Sequence, residues 1–108
     1  MKDRISAKTI ARMVRRIATR FDPERVILFG SYARGAPHPD SDVDLLVVLS
    51  VEGSRREKQI EIRRALEDIR VPKDILVSTP EEFAWRKEIP GTIEYPAAKE
   101  GKVLYARR

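Results

Sequence analysis

The stretch "LFGSYARGAPHPDSDVDLLVV", Leu28 to Val48, decides how the rest of the chain is read. It begins at the end of a β-branched and aromatic run, Arg25 to Phe29, which predicts a buried strand ending at Gly30. Ser31 to Arg34 has the length of a single helical turn, closed by Gly35, and "APHPDS" is a loop held open by Pro37 and Pro39. Val43 to Leu49 is a second strand, apolar enough to be buried on both faces. Asp40, Asp42 and Asp44 alternate into its start. Residues two apart on a strand share a face, with Cα atoms roughly 6.6 Å apart, so Asp42 and Asp44 project side by side.

Outward from this stretch the pattern continues as helices and strands. Ser6 is an N-cap for a helix whose apolar positions are Ile10, Val14, Ile17 and Phe21, and Asp22-Pro23 ends it. Gly53-Ser54 opens a second helix with Ile62, Ala65, Leu66 and Ile69 on one side. Pro72 closes the short segment after that helix, and Asp74 to Ser78, "DILVS", is a third strand. Thr79-Pro80-Glu81-Glu82 starts another helix, with a capping threonine, proline first and acids in the first turn. Ile93 to Glu100 reads as a last helix with Gly101 as C-cap, and Lys102 to Ala106 as a final strand. The expectation is one small α/β (α+β) domain over residues 1–108, a mixed sheet covered mainly on one side by helices.

The bulk properties narrow the function classes. With 42% hydrophobic and 36% charged residues, 108 residues give a globular profile with room for one core. No apolar run approaches the ~20 residues needed to span a bilayer, and no apolar signal segment comes after the start. Cysteine is absent, which excludes disulfides and thiolate metal sites and fits a cytoplasmic location. The net charge of +5 raises nucleic acid, a polyphosphate or an acidic protein as partners. Arg12, Arg15, Arg16 and Arg20 lie on the first helix. Arg55, Arg56, Lys58, Arg63 and Arg64 on the second alternate with Glu57, Glu61, Glu67 and Asp68, as on a solvated helix face. No recognition-helix motif accompanies them, so direct nucleic-acid binding ranks last.

The aspartates carry the chemistry. Two ionised carboxylates side by side repel each other unless a cation lies between them, and hard Mg²⁺ prefers carboxylate and phosphate oxygens. Asp74 also starts a strand, and if the two strands are neighbours it reaches the same sheet edge. Three carboxylates from adjacent strands suffice to hold two metals ~3.5–4 Å apart. The Gly30-Ser31 turn offers backbone N–H groups, a close approach and a hydroxyl to phosphate oxygens. Asp40, beside Pro39, reads as a turn former, and His38 as a loop residue. Arg34 is near enough to touch phosphates or to pair with an acid, and the sequence leaves both open. Trp85 with Phe83 is either a partner surface or helix-to-sheet packing.

Gly30-Ser31, ten residues from Tyr32 to Ser41, then Asp42-Val43-Asp44, resembles the signature of the polymerase-β-like nucleotidyltransferase superfamily. The fuller "GSYARG…SDVDLLV", the later "DILV" and the tail "AAKEGKVLYAR" are similar to its smallest branch, the minimal nucleotidyltransferases of MntA type encoded beside HEPN-domain toxins. The resemblance implies that Asp42 and Asp44 ligate two Mg²⁺ ions, and that Asp74 joins the catalytic metal and assists as base. It implies that Gly30 and Ser31 hold the β- and γ-phosphates of ATP, with Arg34 a further candidate. It also implies transfer of AMP to a tyrosine of a partner HEPN ribonuclease toxin, which silences it. The alternative from another class is a non-catalytic antitoxin that neutralises its partner by covering it.

Overall fold

The computed structural model describes residues 5–38 and 40–108. Pro39, the second proline of the loop, lies outside the described residues. The expected elements are present in the expected order: α1 (Ala7–Phe21), β1 (Arg25–Phe29), β2 (Val43–Val48), α2 (Arg55–Ala65), β3 (Lys73–Ser78), α3 (Pro80–Arg86), α4 (Glu94–Glu100) and β4 (Lys102–Ala106). Their ends obey the local chemistry. Ser6 Oγ accepts the N–H of Thr9 at 3.1 Å to start α1, and Asp22 ends it in the left-handed region at φ 47°. Ser54 Oγ accepts the N–H of Glu57 at 3.2 Å to start α2. Thr79 and Glu82 form a reciprocal capping box at the start of α3.

The four strands form one mixed sheet in the order β3-β2-β1-β4. β1 is antiparallel to β2 and to β4, and β2 is parallel to β3. The parallel pair needs a crossover, which α2 supplies. Gln59 of α2 reaches the open side of β3, where its side-chain oxygen accepts the Val77 N–H at 3.0 Å. An edge donor that would otherwise be left unpaired is thereby satisfied.

The two long helices cover one face of the sheet. There Met13 and Ile17 of α1, Ile62 of α2 and its C-cap Leu66 pack on Val26, Leu28, Val43, Leu45, Val47, Ile75 and Val77. The alternate residues of the same strands face the other way. Ile27, Leu46 and Val48 form a smaller cluster there with Phe83 of α3 and Ala97 of α4. β2 is therefore buried on both faces, as its nearly continuous apolar run predicts. Phe83 packs against the sheet, whereas Trp85 is 57% exposed, so helix-to-sheet packing holds for Phe83 alone.

Gly101 does succeed α4, but its φ is −78°, so a left-handed cap is not what requires glycine there. A Cβ at Gly101 would meet the Ala97 carbonyl, and would lie 2.6 Å from Ile27 Cγ2 and 2.9 Å from the Leu28 carbonyl. Close passage over β1 is the constraint. Among the described residues no helix is long and apolar enough to cross a membrane.

Candidate active site

The face carrying the smaller cluster also carries the aspartates. Parallel register pairs Asp44 with Asp74, then Leu46 with Leu76 two residues further on. In-register residues of neighbouring strands point to the same side, so Asp44 and Asp74 stand together at the N-terminal ends of β2 and β3. Asp42 lies one pleat earlier, in the exposed approach to β2. On the opposite side of β2, antiparallel pairing sets Phe29, the last residue of β1, beside Asp44. The chain then turns at Gly30, against the same carboxylate.

Gly30 has φ +76°, and a Cβ built on it would collide with Asp44 Oδ2. Glycine is thus demanded twice, by the left-handed backbone and by the carboxylate resting on it. The next turn is a single helical one: Ala33 and Arg34 donate their N–H groups to the Gly30 carbonyl at 3.1 and 3.2 Å. Among the described residues the N–H groups of Ser31 and Tyr32, at the head of that turn, donate to no protein acceptor. They lie next to Gly30, which rests against Asp44, and groups of this kind are available to an anion.

Electrostatics ties these residues into one site. The Asp44 carboxyl is held above its ordinary value first by partial burial, then by the negative charges of Asp74 and Asp42, while the Arg34 guanidinium pulls it down. A carboxyl pKa raised in this way marks a place where a cation would be favoured. The donors are hard carboxylate oxygens, and they fit Mg²⁺ rather than a softer metal. Among the described residues no group of three His, Cys, Asp or Glu side chains closes to metal-holding geometry. Asp74 is engaged elsewhere, its Oδ1 accepting from Arg63 Nη2 at 3.4 Å.

Arg34 pairs with Glu100 at 3.4 Å, and both side chains are more than half exposed. Its charge also acts on Asp44, so it stands within reach of both acid and site. Asp40 is exposed, in a turn where Ser41 N–H reaches the His38 carbonyl at 3.0 Å and Ser41 Oγ accepts the His38 N–H at 2.8 Å. Arg63 is the residue at the site that sequence reasoning misses. In the sequence it is one of the solvated charges of α2, and nothing local signals a partner eleven residues away.

Comparison with known proteins bears on the family and the fold. The family model described as "Nucleotidyltransferase domain" matches residues 10–99. A protein of Methanocaldococcus jannaschii, named as a candidate protein adenylyltransferase, is 44% identical over 55 residues, which cover 51% of this chain and 54% of that relative. The match thus spans about half the length of the relative. The crystal structure of a candidate nucleotidyltransferase from Sulfolobus solfataricus superposes with TM-score 0.65 at 25% identity, over 93% of this chain and 79% of that one. A toxin–antitoxin crystallised with AMP-PNP superposes with TM-score 0.53 at 19% identity, over 96% of this chain and 76% of that one. A variant of the toxin–antitoxin MntA–HpeT gives 0.52 at 17%, with the same coverages. At these last identities the likeness is one of fold alone.

Proposed function

Because the chain belongs to the nucleotidyltransferase domain family, we propose that it transfers AMP from ATP to a tyrosine hydroxyl of a separate protein, a HEPN-type toxin, and so neutralises it. The observation that supports this reading is the pairing of Asp44 with Asp74 beside the Gly30-Ser31 turn, with burial and the charges of Asp74 and Asp42 holding the Asp44 pKa above its ordinary value. The family match and the relative named as a candidate adenylyltransferase support the reaction class. The toxin partner and the tyrosine rest on the sequence resemblance and on the toxin–antitoxin neighbours in fold.

In this reading the β- and γ-phosphates sit on the N–H groups of Ser31 and Tyr32, with the Ser31 hydroxyl as a further donor. Asp42, Asp44 and Asp74 would hold Mg²⁺, two ions by the resemblance, which supplies positive charge against the phosphoryl oxygens and the leaving group. Arg34 exchanges its exposed Glu100 partner for a phosphate oxygen. The acceptor oxygen attacks the α-phosphorus as the bond to the bridging oxygen breaks. Its proton passes to the Asp74 carboxylate, and pyrophosphate leaves with the bonding electron pair.

ATP labelled at the α-phosphate, incubated with Mg²⁺ and a cognate toxin, should place label on the toxin. Label transferred only from the γ-phosphate would make the protein a kinase and end this reading. Asp44→Asn should abolish transfer while preserving the fold. If that variant still neutralised the toxin fully in cells, binding without catalysis would be the function.

A further inference from the structure

The centre described above is flanked unequally. β1 and β3 lie on opposite sides of β2, so the phosphate-binding turn approaches Asp44 from one side and Asp74 from the other. Beyond Asp74, on the same face, Leu46 and Leu76 form the floor of a cavity of about 730 Å³. They are one pleat, roughly 6.6 Å, from the paired aspartates. The walls are the first turn of α2, with Arg55 and Arg56, and the segment from Arg86 to Glu94. Ile93, on this wall, is 44% exposed.

The charge of these walls is specific. Arg55 is paired with Glu82 at 3.2 Å, and Arg86 faces the buried Glu94 at 3.8 Å. Arg56 has no ion-pair partner among the described residues and lines both this cavity and a shallower groove along α2. That groove continues past Ile60 and Arg64 to Arg63, the residue in contact with Asp74. Arg64 is likewise without an ion-pair partner among the described residues. Gln59, Glu67 and Lys73 also line the groove, so a path in which cations outnumber the single acid runs beside β3 and ends at the third aspartate.

We propose that this path is the docking surface for the acceptor, and that it takes an acidic polypeptide segment with aliphatic side chains. The inference rests on the transferase reading of the three aspartates and adds the chemistry of the second substrate. The nucleotide enters from the β1 side, the acceptor from the β3 side, and the acceptor hydroxyl meets the α-phosphate between them. A polypeptide fits better than RNA. The cavity floor is aliphatic, and no aromatic side chain lines it for base stacking. A second copy of this chain, at +5, has the wrong sign of charge.

The test uses random copolymers of glutamate and tyrosine and of lysine and tyrosine, labelled for fluorescence anisotropy, with the full chain. The acidic copolymer should bind at least ~10-fold tighter than the basic one, and Arg56→Glu with Arg64→Glu should remove about that factor. Arg56→Gln with Arg64→Gln should give an intermediate loss, which guards against misfolding of the double reversal. Lys8→Glu with Arg20→Glu changes net charge equally on α1 and should leave binding within about 2-fold. Equal weakening by this control, or displacement of the acidic copolymer by an oligouridylate at lower concentration, overturns the proposal. The same mixtures with α-labelled ATP separate the two claims. Label on the acidic copolymer that is insensitive to the Arg56 and Arg64 changes sinks the docking surface and leaves the transferase. Binding that those changes abolish, without label on any acceptor, supports the surface and counts against the transferase.

Discussion

Replacing Gly30 with alanine should separate two requirements that the site imposes at one residue. Gly30 and Gly35 have nearly the same left-handed backbone, φ +76° and +74°. Placing a Cβ in that region costs roughly 1–2 kcal/mol, and both alanine variants should lose about that much stability. For a domain near this size, that lowers Tm by about 5–15 °C. At Gly35 nothing lies within 4 Å of the added carbon, and the effect ends there. At Gly30 the new methyl meets the Asp44 carboxylate, which yields by rotating because it is a side-chain end rather than backbone. A displacement on the order of 1 Å at a reacting centre costs about 100-fold in rate. Transfer from α-labelled ATP, with Mg²⁺ and toxin, should fall at least that far in Gly30→Ala and remain within about 3-fold of wild type in Gly35→Ala, at temperatures well below both melting points. Equal activity in the two variants would refute the reasoning, because it would mean that the Asp44 position against the turn is immaterial.

Three other outcomes are expected from the geometry. In metal-free protein the raised Asp44 carboxyl destabilises the fold in its ionised form. The penalty is absent below the unfolded value near 3.8 and develops as pH rises through the higher folded value. Asp44→Asn should therefore raise the neutral-pH Tm in chelator, and Mg²⁺ should stabilise wild type but not the variant. Arg63→Ala removes an exposed ion pair and should shift stability by less than about 1 kcal/mol, while lowering the Mg²⁺ concentration for half-maximal activity by releasing Asp74. Gly101→Ala, despite an ordinary φ, should destabilise by about 1–3 kcal/mol in chemical denaturation, because its methyl is forced against Ile27 and the β1 backbone.

Local chemistry made the elements legible. Ser6, Ser54 and Thr79 each cap the helix that the sequence assigns to them, and the apolar run Val43 to Val48 is buried on both faces. The grouping of Asp42, Asp44 and Gly30 was legible for the same reason, since one hairpin-like excursion joins them. What lay beyond reach was set by contacts distant in sequence. Asp74 joins the group only through the parallel register of β2 and β3, for which the sequence supplied a conditional. The Arg63 and Glu100 partners of Asp74 and Arg34 have no local signature at all. Glu94 is a further case. Its place in a polar-looking helix gives no hint that it is buried and accepts a 2.8 Å hydrogen bond from the buried Ser78 hydroxyl.

The pairing of Asp44 with both Phe29 and Asp74 also sets how this chain can change length over generations. One residue inserted within Val43 to Leu46 would turn every later side chain of β2 over, and the aspartates would be separated from the apolar residues that anchor them. One residue inserted between Ala36 and Ser41 only widens a surface excursion whose ends stay fixed by the ladder. Length variation should accumulate in the proline loop and be purged from the strand. The sheet thus serves as a ruler for the site, and its register sets where the aspartates stand as much as the identity of any residue along it does.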